Sequence, residues 1–396
     1  MIYLDNAATT KPYDCLLRYA SKAISDDWYN PSSLYKPAVE VSQKIKAARH
    51  KIADYIKFNP SDIIFTSGAS EGNNMILHER WDTVIYTPIE HKSVSVPALL
   101  AGSYRTDIIP VDETGVVDLD ALDNMLDDIV THGGRRNIPL TLDDSPFLVS
   151  IIAVNNEIGV CQPIEEISEI CHKYKAVLHL DCTQAMGKLC LNYRLADIIT
   201  ASAHKFHGFK GVGFLASRVP LKSLLLGGHQ EHGKRAGTEN TMGILAMADA
   251  LDISYQHMTK NFDHVHKYKT ALIEGLKEIP NIRFNSELYD HSTDIYEQNH
   301  PYNPYILNVS FKDVNAESLL YLLSLKGIYV SSGSACNSKE QEVSPILRAI
   351  NVPDEYIYGT IRFSFSHMND LDEVPVVVEA VKECVASIRH SRGVNG

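Results

Sequence analysis

The sequence has no run of roughly 18 apolar residues, the length a helix needs to cross a bilayer, so no membrane association is expected. It also lacks an excess of basic residues. The 37 Lys and Arg stand against 49 Asp and Glu, a formal net charge of −12. That balance is unfavourable for gripping nucleic-acid phosphates, so in any RNA pathway another protein would hold the RNA. Cysteines are scattered, at Cys15, Cys161, Cys171, Cys182, Cys190, Cys336 and Cys384, with no C-x-x-C pair. This argues against a disulfide framework and for reduced thiols, most of them packed in or beside apolar segments. No signal or transit peptide is read at the start, because Met1-Ile-Tyr-Leu-Asp-Asn-Ala-Ala-Thr-Thr10 already carries structural signals. The expected location is the cytoplasm of a prokaryote-like cell. Internal repeats and low-complexity tracts are also missing.

What is present is length and alternation. With 396 residues, 44% of them hydrophobic, the chain can bury a large core, and two domains are the default. Runs such as Ile63-Ile-Phe-Thr66, Thr83-Val-Ile-Tyr-Thr87, Phe147 to Val154 and Ala176 to Leu180 alternate with amphipathic helical stretches. Such β-α repetition predicts a mostly parallel sheet covered by helices. Ligands of such sheets bind beyond the carboxyl ends of the strands, where the polar groups of this chain cluster. From about Leu251 the texture changes, and a smaller α+β domain is expected.

Ser202-Ala-His-Lys205 closes a β-rich run, Asp197 to Ala203, just before a Gly-rich turn. Strand alternation would place Ser202 and His204 opposite Lys205, but the strand is ending, so all three can converge on one small ligand. Pyridoxal phosphate (PLP) fits these residue types. Its aldehyde needs a lysine, its pyridine nitrogen a carboxylate and its phosphate a set of donors. Asp181, closing another strand, suits the ring nitrogen, although a helix-capping aspartate reads the same in isolation. Thr66-Ser-Gly-Ala-Ser-Glu71 lies between a strand and a helix, where the Ala69 and Ser70 N–H groups and the Ser70 hydroxyl can meet a phosphate. A plain helix cap is the alternative there. His91 can stack on a cofactor or move protons, or can be an ordinary histidine.

Gly211-Val-Gly213-Phe-Leu-Ala216 matches G-x-G-x-x-A, but the β-like residues come after the glycines, so it reads as a turn into a strand. His204/His207 and His229/His232 are spaced like metal ligands but lack a third partner, so no metal is expected. Cys336 lies in Val330-Ser-Ser-Gly-Ser-Ala-Cys336, small and polar, a setting for an accessible thiol. Arg362 alternates into a strand between apolar neighbours. It needs an anion, either a substrate carboxylate or an internal Asp or Glu.

Taken together, Leu4 to Thr10, Asn30-Pro-Ser-Ser33, Thr66 to Glu71, Glu90-His-Lys92, Val154 to Val160, Asp181-Cys-Thr-Gln184, Ser202 to Lys205, Arg235-Ala-Gly-Thr-Glu-Asn240 and Ser331 to Cys336 resemble the NifS/IscS-type cysteine desulfurases, in order. The resemblance implies the PLP-dependent transferase type I fold of the class-V aminotransferase group, α/β. Its large, mostly parallel-sheet domain would be residues 13–255, and its smaller α+β domain residues 1–12 and 256–396. It implies that Lys205 bonds PLP and moves protons, that His91 stacks on the ring and acts as acid or base, and that Asp181 pairs with the ring nitrogen. Asn156 and Gln184 would meet the phenolic oxygen, and Ala69, Ser70, Ser202 and His204 the phosphate. Thr238 would reach the phosphate of a neighbouring subunit in a homodimer. Arg362, with Asn30, would bind the carboxylate of L-cysteine, and Cys336 would take its sulfur as a persulfide. An iron–sulfur scaffold or a tRNA sulfurtransferase would accept that sulfur, making the enzyme a supplier for cluster assembly or tRNA thiolation.

Some positions depart from the family pattern. Ser70 stands where threonine is usual, and Cys182 adds a thiol beside Asp181. His229 and His232 replace the commoner glycine and arginine, and residues 285–305 are longer than expected. A selenocysteine lyase, a C–S lyase or an ordinary class-V aminotransferase would share the cofactor residues. A non-catalytic sulfur-pathway partner would have no need to keep Lys205, Asp181 and His91 together.

Overall fold

The computed structural model describes residues 1–100, 105–132, 147–286, 303–332, 343–391 and 393. Cys336 and most of segment 285–305 lie outside the described residues.

The chain opens with the short strand β1 (Ile2–Tyr3). Among the described residues, seven strands then build the main sheet: β2 (Ile63–Thr66), β3 (Thr83–Tyr86), β4 (Arg105–Ile108), β5 (Phe147–Ile152), β6 (Val177–Asp181), β7 (Ile198–Ser202) and β8 (Gly213–Ser217). Their order is β2-β8-β7-β6-β5-β3-β4. All neighbours run parallel except β8, which is antiparallel to both β7 and β2. Two antiparallel steps restore direction, so β2 points the same way as β7. The carboxyl ends of β2, β3, β5, β6 and β7 therefore open on one edge, the edge where such sheets bind ligands. The inner strands are Val- and Ile-rich because both faces are covered. Val149 and Ile151 of β5 pack into one core cluster while Leu148 packs into another.

The first helices along the chain are α1 (Leu17–Ser25), α2 (Lys36–Ile56) and α3 (Ala69–Leu77). A fourth, α4 (Lys92–Leu100), follows β3. In α2 the buried Ala38, Val41, Ile45, Ala48 and Ile52 recur at three- and four-residue steps, an apolar stripe that packs on the helix Thr241–Gln256, as α1 also does. Proline at its first turn and left-handed Lys57 (φ 60°) bound that helix.

A smaller set of strands follows: β9 (Ile282–Phe284), β10 (Ile306–Phe311), β11 (Ile328–Tyr329) and β12 (Thr360–Ser364). The antiparallel order is β12-β10-β9, while β11 pairs in parallel with β1. A bridge from Asp5 to Ser364 ties the amino-terminal segment to β12, and one from Ser331 to Arg362 ties the residues after β11 to the same strand. The first residues thus reach the open edge of the main sheet.

Two sequence expectations are corrected. The strand read as Asp197 to Ala203 ends at Ser202, and Ala203–Lys205 form a single 3₁₀ turn. The carbonyl of Ala203 accepts from the N–H groups of Phe206 and Gly208, which curls the chain before strand alternation can separate His204 from Lys205. The six cysteines other than Cys336 do not all pack. Cys15 and Cys190 are exposed, whereas Cys161, Cys171, Cys182 and Cys384 are buried. Gly211-Val-Gly213 does form a turn into β8. A Cβ on Gly213 would lie 2.5 Å from the Ala201 carbonyl oxygen and 2.7 Å from the Gly68 Cα.

One buried ion pair stands apart from the cavity. Arg49 of α2 donates Nη1 to Glu231 Oε2 (2.8 Å) and Nη2 to Glu231 Oε1 (2.7 Å), and Phe65 N–H also donates to that carboxylate (2.9 Å). Glu231 holds a left-handed backbone (φ 48°), as does His232 (φ 57°), so the pair pins a sparsely populated conformation just ahead of Thr238. Glu231→Ala strands the guanidinium without its partner. Chemical denaturation should show a loss of roughly 3–5 kcal/mol.

Candidate active site

The open edge holds a cavity of about 430 Å³. Each strand end delivers its part. The loop after β2 supplies Ala69 and Ser70, the residues after β3 supply His91 and Ser93, and Asn156 follows β5. Asp181 ends β6, with Thr183 and Gln184 just beyond it, and Ser202, His204 and Lys205 close β7. Asp5, Ala7 and Ala8 come from the amino terminus and Arg362 from β12. Of the expected residues, ten therefore meet in one space: Ala69, Ser70, His91, Asn156, Asp181, Gln184, Ser202, His204, Lys205 and Arg362. Thr238 and Asn30 are exposed and do not line it. The Asn30 side-chain oxygen instead accepts from Ser32 N–H (2.9 Å).

Lys205 Nζ donates to the carbonyls of Ala7 (2.5 Å) and Ala8 (3.0 Å). Burial, then the Arg362 charge, pushes its pKa down to about 8, against the pull of Asp181 and Asp5. An amine so placed is a nucleophile near neutral pH. At the head of α3, the N–H of Ala69 donates to Ser202 Oγ (2.7 Å), joining a positive helix end to a hydroxyl. His204 beside them is neutral at pH 7, since burial and then Lys205 push its pKa down to about 4.

Both oxygens of Asp181 accept hydrogen bonds: Oδ1 from Thr183 N–H (3.0 Å) and Oδ2 from Asn73 Nδ2 (2.9 Å). His91 opens to the cavity, yet the protein packed around it pushes its pKa down, Asp181 opposing and Lys205 and Lys92 adding to the effect. Its Nδ1 accepts from Ser93 N–H (3.1 Å) and lies 2.8 Å from Ser93 Oγ. The neutral ring therefore carries its proton on Nε2.

Arg362 has an internal partner. Nη2 pairs with Asp5 Oδ1 (2.7 Å) and Nη1 donates to the Asn156 carbonyl (2.7 Å). The sequence left open whether a substrate or an internal acid would meet this guanidinium, and Asp5 is that acid. Around the cavity, Asn156 Oδ1, Thr183 Oγ1 and Arg362 Nε are buried polar atoms without hydrogen-bond partners. Orphans of that kind, with a nucleophilic lysine and a carboxylate, fit a ligand rich in oxygen with one ring nitrogen, as PLP is.

Several contributors were not singled out from sequence. Lys188 donates Nζ to Gln184 Oε1 (3.1 Å), turning Gln184 Nε2 toward the Ala7 carbonyl (2.9 Å), and burial pushes the lysine pKa down to about 7. Its four-residue spacing from Gln184 was the available signal. Glu90 is buried behind the site and its pKa is pushed up to about 8 by that burial, with Asp181 adding to it. Cys182, by contrast, is fully buried and its thiol is pushed well up by burial, so proximity to Asp181 does not make it reactive. His207 is a satisfied core residue, its Nδ1 bonded to the Lys11 carbonyl (2.8 Å). Among the described residues, no group of three or more His, Cys, Asp or Glu could hold a metal ion, and no helix is long and apolar enough to cross a membrane.

Comparison with known proteins decides the family. The aminotransferase class-V model matches residues 2–377. The cysteine desulfurase IscS of Methanosarcina thermophila is 35% identical over 402 residues, covering 98% of this chain and 93% of its own. The chain belongs to the NifS/IscS-type cysteine desulfurases of the class-V aminotransferase family. A further IscS relative, from Vibrio campbellii, is 34% identical over 409 residues, covering 98% of this chain and 93% of its own. Among solved structures, a NifS-like protein superposes with a TM-score of 0.84 at 32% identity, covering 98% of this chain and 99% of its own. A NifS-like protein from Rickettsia africae gives 0.83 at 29%, covering 97% and 99%. Members of this family depend on PLP, and the fold described above is theirs.

Proposed function

We propose that this chain converts L-cysteine to L-alanine and keeps the sulfur on Cys336. The C–S bond of the substrate breaks, an S–S bond forms on the cysteine, and the carbon takes up a proton. The observation that carries this reading is the pairing of Lys205 and Asp181. They close adjacent parallel strands and face one cavity, an amine of lowered pKa beside a hydrogen-bonded carboxylate.

Bound there, PLP supplies a conjugated electron sink. Lys205 holds it covalently and moves protons at Nζ. Asp181 faces the ring nitrogen, Asn156 and Gln184 the phenolic oxygen, and Ala69, Ser70, Ser202 and His204 the phosphate. His91 keeps a proton on Nε2 for transfer. Arg362 binds the substrate carboxylate, in competition with Asp5 and with Nε as its unfilled donor, and Asn30 assists. Residues 13–255 form the cofactor-binding unit, with 1–12 and 256–396 the smaller one. Thr238, exposed on this chain, serves the site of a second copy in a homodimer. The sulfur passes to an acceptor protein, an iron–sulfur scaffold or a tRNA sulfurtransferase, in the cytoplasm.

Purified, PLP-loaded protein incubated anaerobically with L-cysteine should release alanine, and mass mapping should place an extra sulfur on Cys336. Pyruvate without protein-bound sulfur would overturn this reading in favour of a lyase or a transaminase. Sulfur on Cys182 would overturn the assignment of the nucleophile.

A further inference from the structure

Asp181 and His91 sit on different elements, and one side chain touches the surroundings of both. Asn73 of α3 donates Nδ2 to Asp181 Oδ2 (2.9 Å) and to Ser93 Oγ (2.9 Å), the hydroxyl that lies 2.8 Å from His91 Nδ1. Its carbonyl accepts from Thr200 Oγ1 (2.6 Å) on β7. With its own proton spent there, Thr200 Oγ1 can only accept from His179 Nε2 (3.1 Å), and His179 Nδ1 then accepts from Ser150 Oγ (2.8 Å). Every donor and acceptor in this relay has one consistent assignment. Turning the Asn73 carboxamide over would set its oxygen against the Asp181 carboxylate and its N–H groups against a hydroxyl already committed to His179.

Asn73, Thr200, His179 and Ser150 are all fully buried, so none of these side chains touches bulk water. A glycine makes it reachable. A Cβ on Gly72 would lie 2.9 Å from Thr200 Cγ2, so only a bare position lets α3 approach β7 closely enough for the Asn73 to Thr200 bond.

We propose that Asn73 is a positioning residue that couples Asp181 to His91, one carboxamide N–H fixing the carboxylate and the other fixing the hydroxyl against the histidine Nδ1. The inference rests on the PLP chemistry proposed for this site. Charged and titratable groups facing the coupled pair are Glu90 and Lys92 beside His91, His179 on the strand of Asp181, Lys205 after β7, and Arg362 on β12. None of these bonds both members. Without the Asn73 donor, the Asp181 carboxylate is no longer held in one orientation and stabilises charge on the ring nitrogen less. The ring then carries less positive charge, and the bound chromophore keeps its own proton to higher pH.

The test compares PLP-loaded wild type, Asn73→Ala and Thr200→Val. Thr200→Val keeps the methyl against Gly72 but removes the hydroxyl that orients the carboxamide. The visible absorption band is titrated against pH without substrate, and alanine formation from L-cysteine is measured separately. Asn73→Ala should move the midpoint upward by about one unit and slow alanine formation by about 30-fold, with a smaller upward shift in Thr200→Val. If Asn73→Ala does not fold, the Thr200→Val shift decides alone. Unchanged midpoints, with or without lost activity, would overturn the proposal by reducing Asn73 to a packing role. Wild type that makes no alanine would instead refute the desulfurase reading, while a shifted midpoint, measured without substrate, would still support the coupling.

Discussion

Lys205→Ala is expected to lower alanine formation from L-cysteine by roughly four orders of magnitude and to leave PLP only reversibly bound. The argument rests on how the amine is prepared. In water a lysine of ordinary pKa is about 0.1% neutral at pH 7.4, whereas one near 8 is roughly one-fifth neutral. Lys205 gains that fraction because it is buried and faces Arg362, with its lowered pKa of about 8 on the closing turn of β7. The sign sets a pH dependence. As pH rises toward 8 the neutral amine accumulates, so capture of PLP by the cofactor-free protein should accelerate and then level off above that pH. Borohydride reduction followed by peptide mapping should label Lys205 in the wild type and no lysine in the variant. Normal turnover in Lys205→Ala would sink the assignment.

Asp181→Asn carries the second largest expectation, a fall on the order of a thousandfold in alanine formation with PLP still attached to Lys205. The substitution keeps the volume and removes the charge that, in the proposed reading, would face the ring nitrogen. In the structure that carboxylate has both oxygens engaged, by Thr183 N–H and by Asn73 Nδ2, which hold it in one orientation before any ligand arrives. A preorganised charge of this kind stabilises developing charge without reorganising, which is why its removal weighs on turnover more than on binding. Absorbance would report PLP loading, and alanine release would report the chemistry. A loss of less than tenfold would show that the ring proton does not depend on this residue.

Much of the site was legible in the chain because its residues end strands. Lys205, Asp181, His91, Asn156 and Ser70 each follow a β-like run, and in a parallel sheet the ends of such runs share one edge. Turn chemistry was less legible. The β-like run was read through Ala203, whereas the strand ends at Ser202 and two bonds to the Ala203 carbonyl make Ala203–Lys205 a 3₁₀ turn, which is how the expected convergence of His204 and Lys205 on one cavity comes about. The partner of Arg362 was not legible either, because Asp5 lies 357 residues away in sequence and meets it where the Asp5–Ser364 bridge joins the amino terminus to β12.

The sequence by itself determined the class of the fold, the family and ten of the residues that meet in the cavity, since alternating hydrophobic periods and ordered motifs are written along the chain. The tertiary structure alone decided how those groups are tuned. Burial set the lowered pKa of Lys205, and the bare position at Gly72 let α3 approach β7. Asn73, unremarkable in the sequence, became the bond between Asp181 and the hydroxyl beside His91. Desolvation and hydrogen-bond direction depend on what packs around a group from distant segments, and no local pattern of residues records that.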